Sequence, residues 1–108
     1  MTSYNSIIID PPSNTILTVT PNRPAQGDTV TLECTTKSRP RSQLRFVNVT
    51  EGTEDMKPTP EVGNTATISL SEVDCLHSGD YRCEADNGVG RTTYSAIVEL
   101  DVKCMLNN

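Results

Sequence analysis

The stretch HSGDYRCEADNGVG, residues 77–90, decides the fold that the sequence predicts. Its central residues alternate between apolar and charged, which is the period of two that a half-buried strand requires. The Asn87-Gly88 pair that follows is a strong hairpin signal because both residue types tolerate positive φ, and Gly90 comes so soon after it that we expect a turn longer than two residues. Gly79 stands just before the strand, where a sharp corner needs an unhindered backbone. The stretch therefore predicts a corner, a strand and a hairpin turn.

Five further runs alternate in the same way, and polar turns rich in Pro, Gly and Asn separate them. They are ILTVTP (16–21), DTVTLEC (28–34), QLRFVNV (43–49), TATISL (65–70) and TYSAIVELDVKC (93–104). The prolines of DPPS (10–13) are expected to kink or divide the first strand, because proline cannot donate to a ladder. The alternation predicts an all-β sandwich with the following core: Leu17, Val19, Val30, Leu32, Cys34, Leu44, Phe46, Ala66, Ile68, Leu70, Tyr81, Cys83, Ala85, Tyr94, Ala96, Val98, Leu100 and Val102.

Length and charge restrict the possible functions. The 108 residues suit one domain, and a net charge of −5 offers no stripe of cations for duplex nucleic acid or an anionic membrane. The four cysteines lack CxxC spacing and His77 is the only histidine, so a zinc site is not expected. We therefore expect no cofactor, no nucleic-acid partner and no direct membrane contact. Two disulfides formed in an oxidising compartment explain the cysteines better.

The ends of the chain suggest a fragment of a larger protein. Residues 1–6 lack the basic and hydrophobic regions of a signal peptide, and no apolar run is long enough to span a bilayer. We interpret the chain as a piece of a longer secreted or membrane-anchored protein. One domain is predicted over 7–104, preceded by a disordered segment (1–6) and followed by a tail (105–108).

Cys34 and Cys83 both lie on the inward faces of their predicted strands. A bond between them would tie one sheet to the other through the core. It would close a loop of roughly 50 residues, which is worth about 4 kcal/mol in the chain-entropy model.

GDYRCEADNGVG (79–90) is similar to the F strand and the F–G turn of the immunoglobulin superfamily, and GDTVTLEC (27–34) resembles its B strand. Tyr81 fits the tyrosine corner of that family, in which the hydroxyl bonds to nearby backbone. The resemblance covers nearly all of 7–104. It implies an immunoglobulin-like β-sandwich of two antiparallel sheets with Greek-key connections. The intermediate or constant-like sets fit best, since the span from Phe46 to Thr65 leaves little room for the extra strands of a variable domain.

Two positions depart from the family pattern. The family usually has a Trp on strand C against the disulfide; this chain has none, and Phe46 is the candidate replacement. His77 stands where the family often has an Asp in an ion pair, which puts that pair in doubt.

Cys75 precedes strand F and Cys104 ends strand G at the same end of the sandwich, so we predict an additional Cys75–Cys104 clamp. The alternatives are two free thiols or a bond to another chain.

Candidate binding residues fall in three places. Lys37, Arg39 and Arg41 occupy a predicted loop between strands B and C, which either contacts an acidic protein patch or a sulfated or sialylated glycan, or is merely solvated. The outward face of the C, F and G strands suits a modest protein interface, which the resemblance favours, or is an ordinary exposed face. That face is predicted to show Arg45, Val47, Arg82, Glu84, Thr93, Ser95 and Ile97. Asn87 in the F–G turn is a further possible contact.

Asn48-Val49-Thr50 is the one N-glycosylation sequon, which makes Asn48 the candidate glycan site. Strict alternation from Leu44 nevertheless points Asn48 inward. Either the strand has left the core by that point or the sequon is unused. The acidic run EGTEDMK (51–57) is interpreted as a solvated loop.

The sequence offers no catalytic arrangement. Ser78 lies beside His77, but neighbours on a strand or tight turn face apart, and no GxSxG motif is present. We therefore predict no enzyme but an extracellular binding module of a larger adhesion, receptor or immune-recognition protein, which engages a protein or glycan partner and contacts neighbouring domains of its own chain. The alternatives are a passive spacer in a multi-domain chain and an intracellular domain of a structural filament.

Overall fold

The computed structural model describes residues 9–50 and 61–104. The predicted segment 1–6, the run 51–57 and the tail 105–108 lie outside the described residues. The strands are β1 (Asp10–Thr20), β2 (Val30–Arg39), β3 (Ser42–Asn48), β4 (Glu61–Gly63), β5 (Thr65–Leu70), β6 (Gly79–Asp86), β7 (Thr93–Tyr94) and β8 (Val98–Leu100), and a short 3-10 helix spans Cys75–His77.

The strands form two antiparallel sheets, which confirms the predicted sandwich. One sheet has the order β1-β2-β5. The other has the order β4-β3-β6-β7, and β8 also pairs with β6. The chain changes sheets between β2 and β3 and returns with β5 to the other side of β2. Consecutive strands are therefore distributed over both layers, and the core lies between them.

The core consists mainly of the apolar side chains that the alternation selected. They are Leu17, Val19, Val30, Leu32, Cys34, Leu44, Phe46, Ala66, Ile68, Tyr81, Cys83, Ala85, Leu100 and Val102, with Leu70 and Val98 packed against them in part. Val73, which lies outside every strand, is also buried. Cys34 and Cys83 form a disulfide across the two sheets with their Cα atoms 6.1 Å apart.

The first strand is bent but not divided. β1 pairs with β2 along its length, and its register shifts between Asp10 and Ser13 and again between Ser13 and Ile16. Asn14, within the second of these shifts, has a φ of +51°. The prolines of this stretch thus coincide with β-bulges, which keep the strand in the sheet while bending it.

The last strand contains an extra residue that the alternation did not predict. Glu84 pairs with Tyr94, whereas Tyr81 pairs with Val98, so three steps on β6 correspond to four on the neighbouring segment. Ser95 fills this bulge: its N–H donates to the Cys83 carbonyl and its Oγ accepts from the Cys83 N–H, both at 2.9 Å. Because of this extra residue, side chains that precede it point to the opposite face from the one that the alternation predicts. Tyr94 and Ala96, predicted as core, are exposed, while Ser95 is buried.

The predicted loop between the second and third strands is mostly strand. Lys37 and Arg39 lie within β2, and only Pro40 and Arg41 separate β2 from β3. The prediction was wrong because the polar run was interpreted as a turn, although Thr36 and Ser38 continue the inward alternation with buried hydroxyls. Polar residues lie on both sides of the strand at this end of the domain.

The corner before β6 is held by side-chain hydrogen bonds. The Asp74 carboxylate accepts from the Leu76 N–H, and the Asp74 N–H donates to Nδ1 of His77 at 2.9 Å. His77 therefore completes a capping box. The Tyr81 hydroxyl donates to the His77 carbonyl. Beside this corner a second disulfide joins Cys75 and Cys104, whose Cα atoms are 5.7 Å apart.

Candidate functional site

The candidate interface is the outward side of the five-stranded sheet. We define the β3–β6–β7 face as Arg45, Arg82, Glu84, Tyr94 and Ile97. The first four lie on β3, β6 and β7, and Ile97 lies in the segment between β7 and β8. Arg45 is exposed and the Arg82 and Glu84 side chains are partly exposed. Tyr94 and Ile97 are each 54% exposed, so two large apolar side chains stand among charged ones.

Arg82 is the centre of this face. Its guanidinium carbon lies 4.6 Å from the centroid of the Tyr94 ring, which is cation–π geometry. Nη2 also lies 3.3 Å from Oε2 of Glu84, two residues along the same strand. Both contacts restrict the long Arg82 side chain before any partner arrives. The Tyr94 ring is consequently held over the sheet by a charged neighbour.

The recess that the described residues form on this face is too small for a drug-sized ligand. The recess bordered by Gln43, Arg45, Glu84 and Asp86 measures about 110 Å³. Pockets that enclose drug-sized ligands run from about 300 to 1,000 Å³. A recess of this size leaves the face nearly flat, which is compatible with contact to a flat protein surface.

Three residues that the sequence placed on this face are not displayed there. Val47 is buried, because it lies directly opposite Arg82 in the β3–β6 ladder and a long side chain there covers its cross-strand neighbour. Thr93 turns inward, where its hydroxyl lies 2.7 Å from that of Thr15. Ser95 occupies the bulge. Tyr94 is exposed on this face instead. The sequence signals the change only through Ser95, a polar residue next to alternating apolar ones.

The predicted cations of the B–C region lie elsewhere. Lys37 and Arg39 are exposed on β2, in the three-stranded sheet, and Arg41 is exposed in the turn to β3. They are thus separated from Arg45 and Arg82. The structure divides the candidate binding residues into two surfaces on different sheets.

Asn87 serves to hold the turns together. Its amide nitrogen donates to the Asp10 carbonyl at 2.8 Å and to the Pro40 carbonyl at 3.0 Å, and its Oδ1 accepts from the Val89 N–H. Both amide hydrogens are therefore used within the domain. Asn87 fixes the start of β1, the β2–β3 turn and the β6–β7 turn relative to one another.

The sequon asparagine lies inside the domain. Asn48 is the last residue of β3 and is only 7% exposed. Its side-chain Nδ2 lies 3.4 Å from the Tyr81 hydroxyl. The hydroxyl of Thr50 accepts from the Asp80 N–H at 2.8 Å. This inward orientation favours the unused sequon of the two alternatives that the sequence left open.

We predict that the folded domain carries no glycan on Asn48, because a sugar on Nδ2 has no space beside Tyr81. Secretion from a glycosylating cell line followed by intact-mass measurement should give the unmodified mass, with no change on treatment with an N-glycosidase. Asn48→Gln is the control and should show the same absence of a mass shift on enzyme treatment. A glycan mass on folded, disulfide-bonded wild type would contradict the prediction.

His77 and Ser78 do not form a catalytic pair in the structure. Nδ1 of His77 accepts from the Asp74 N–H, and the Ser78 hydroxyl accepts from the Val102 N–H at 2.9 Å, so the two side chains serve different parts of the corner. Within 9–50 and 61–104, no group of three or more His, Cys, Asp or Glu could hold a metal ion. None of the helices in those ranges has the length and apolar character needed to cross a bilayer.

Comparison with known proteins gives a consistent family. A family model described as immunoglobulin domain matches residues 11–87. Platelet-derived growth factor receptor-like protein from Homo sapiens is 29% identical over 111 aligned positions, covering 89% of this chain and 29% of its own length. MAM domain-containing glycosylphosphatidylinositol anchor protein 1 from Gallus gallus is 34% identical over 65 residues, covering 60% of this chain and 7% of its own length. The chain thus spans less than a third of either relative.

Solved structures share the fold at low identity. A chimeric titin Z1Z2 carrying a decorin peptide superimposes with a TM-score of 0.72 at 22% identity, covering 91% of this chain and 99% of that one. A complex of titin M10 with an obscurin-like 1 domain gives 0.73 at 20% identity, covering 93% of this chain and 100% of the other. At these identities the likeness establishes the architecture alone.

Proposed function

Because the chain belongs to the immunoglobulin domain family, we propose that it is an extracellular binding module of a larger adhesion, receptor or immune-recognition protein. In this proposal the β3–β6–β7 face engages a protein partner. The observation that carries it is the exposed Tyr94 ring held at 4.6 Å by Arg82. Tyr and Arg are among the residues most enriched in the energetic centres of protein interfaces.

Preorganisation supports this assignment. A partner that covers Tyr94 and Arg82 does not have to order two free side chains, because their contact and the Glu84 ion pair already restrict them. Ile97 adds apolar area beside the ring, and Arg45 adds a charge that can select the partner. The disulfide between the sheets holds β6, which carries Arg82, against the opposite layer.

An extracellular location is supported by two independent features. The described cysteines all form disulfides, which persist in oxidising compartments and are rare in the cytosol. The names of the relatives describe a receptor-like protein and a protein with a glycosylphosphatidylinositol anchor. We infer that this chain is likewise one module of a larger secreted or membrane-anchored protein.

The test is a binding screen of the 108-residue chain against a panel of recombinant cell-surface ectodomains that includes the chain itself. For any ectodomain that binds, we expect Tyr94→Ala to weaken binding by about thirtyfold, the cost of losing a hot-spot side chain of about 2 kcal/mol. Leu76→Ala is the matched control, because Leu76 is 80% exposed in the 3-10 helix, outside both candidate surfaces, and its truncation should leave binding unchanged.

Two results would overturn the proposed interface. If no ectodomain binds at concentrations up to the solubility of the chain, the passive spacer becomes the better description, since a spacer needs only the rigid clamped fold. If a partner binds equally well to wild type and Tyr94→Ala, the contact surface lies elsewhere.

A further inference from the structure

The three-stranded sheet has a polar groove that the proposed protein interface does not use. It measures about 760 Å³ and is bordered by Asp10, Ser13, Lys37, Arg39 and Asn64. It adjoins a second recess of about 380 Å³, to which Lys37 and Asn64 also belong. Both volumes fall in the range of ligand-binding clefts. From this groove we propose that the domain binds a sulfated oligosaccharide.

Two cations define the charge of the groove. Lys37 and Arg39 lie two residues apart on β2, so their side chains emerge on the same side of the strand roughly 7 Å apart. Among the described residues neither forms an ion pair. A single carboxylate would engage one of them, whereas a chain with anionic groups on successive sugars reaches both. Arg39 also provides the planar fork that binds an oxyanion with two hydrogen bonds.

The surrounding end of the domain adds to this positive charge. Arg41 follows in the β2–β3 turn, and Arg91 lies in the β6–β7 turn next to Gly90, which packs against Pro11. These two residues, with Lys37 and Arg39, make four of the nine lysines and arginines of a chain whose net charge is −5. Asp10 and Asp86 also lie at this end, so the four cations leave an excess of positive charge there, which attracts a polyanion.

The lining suits a sugar better than a protein. Among the described residues that border the larger recess, Pro11 is the only apolar one, and the rest offer hydroxyl, amide or charged groups. A protein interface requires a buried apolar anchor, which this recess lacks. Sugar hydroxyls, in contrast, form hydrogen bonds with the hydroxyl, amide and charged groups of the lining. Ile16, at the rim of the smaller recess, supplies an apolar patch for the face of one sugar ring.

The groove is held in shape without a ligand. The Asn64 amide donates to the Ser38 carbonyl at 3.3 Å and its Oδ1 accepts from the Ser38 hydroxyl at 2.9 Å. On the opposite wall, Thr36 donates to the Ser13 carbonyl at 3.1 Å, and Asn87 fixes the Asp10 carbonyl. Rigid walls lower the ordering cost of binding a flexible oligosaccharide.

Asp10 is the one acidic side chain among the described residues that border the groove. It lies opposite Arg39 in the β1–β2 register. Its carboxylate opposes an anionic ligand and therefore weakens binding. Removing this charge should tighten the complex, an effect that a site for a cation or a neutral sugar would not show.

The experiment titrates the 108-residue chain with a sulfated hexasaccharide derived from heparin at low and at physiological salt. We expect amide NMR shifts at Thr36, Ser38 and Asn64, and weaker binding as salt rises. Lys37→Gln/Arg39→Gln should weaken binding at least tenfold, and Asp10→Asn should strengthen it severalfold. The matched control is Arg23→Gln/Lys103→Gln, which removes the same charge at the other end of the domain and should change binding less than twofold.

Several outcomes would overturn the proposal. Equal losses in the two double variants would indicate non-specific charge attraction. Equal binding of the desulfated hexasaccharide, tighter binding of a sialylated oligosaccharide, or an absence of shifts in the groove would each exclude a sulfated-glycan site. Because the groove and the β3–β6–β7 face lie on different sheets, these results are independent of the ectodomain screen.

Discussion

Cys34→Ala/Cys83→Ala is expected to lower the free energy of unfolding by about 4 kcal/mol or more. The bond closes a loop with a sequence separation of 49, and the chain-entropy model gives about 4 kcal/mol for a loop of this size. Both cysteines are fully buried, so the variant also loses packing at the centre of the core. Small domains have about 5–15 kcal/mol in total, so a loss of this size removes between about a quarter and most of the stability, and the variant should unfold at a clearly lower urea concentration. Urea denaturation followed by circular dichroism measures the difference.

The second disulfide provides the matched control. Cys75→Ala/Cys104→Ala opens a loop with a separation of 29, for which the same model gives about 3.5 kcal/mol. Cys75 is exposed and Cys104 is only partly buried against the core, so less packing is lost than for the central pair. The core pair should therefore cost more than the peripheral pair under identical conditions. A larger loss for Cys75–Cys104 would show that the corner, and not the centre of the sandwich, limits stability.

The two-sheet sandwich could be predicted from sequence because its signal is repeated. Each main strand buries every second side chain, so one register error would expose a whole apolar row. That redundancy determined β5, β6 and the first half of β2, as far as Cys34. The inward phase of β2 also extends through Thr36 and Ser38, which the alternation of apolar residues alone could not reveal because these inward residues are polar.

The candidate site was harder to predict because it depends on single insertions. One extra residue at Ser95 turns Tyr94 outward, and one bulge on either side of Ser13 shapes the groove along β1. A bulge has no characteristic composition. It can be recognised in the sequence only where a polar residue occupies a position at which the alternation requires an apolar one. The side chains that carry function in this domain therefore follow from local irregularities, which three-dimensional pairing reveals.

The corner before β6 shows how one departure from the family pattern is accommodated. With His77 in place of an acidic residue, the predicted family ion pair is not needed to close the turn, since the ring nitrogen accepts from the Asp74 N–H. The Tyr81 hydroxyl then meets the His77 carbonyl. Short-range hydrogen bonds between backbone and side chain thus hold a corner that the sequence comparison left in doubt.

Phe46→Ala is expected to remove about 3–5 kcal/mol, the usual cost of deleting a buried aromatic ring and leaving a cavity. Phe46 is 1% exposed and lies directly opposite Cys83 in the β3–β6 ladder, where the sequence pattern expects the core aromatic residue. The chain has no Trp and no second Phe, so no other ring of this kind can fill the space. Thermal and urea denaturation should show the loss. Phe46→Leu should recover more than half of the stability that Phe46→Ala loses relative to wild type.

Tyr94→Ala is the matched control: the ring is 54% exposed, and its removal should cost about 1 kcal/mol or less, chiefly the cation–π contact with Arg82. Comparable losses for Phe46→Ala and Tyr94→Ala would mean that the aromatic ring beside the disulfide does not anchor the core, because the two truncations differ mainly in whether a packed cavity is left behind.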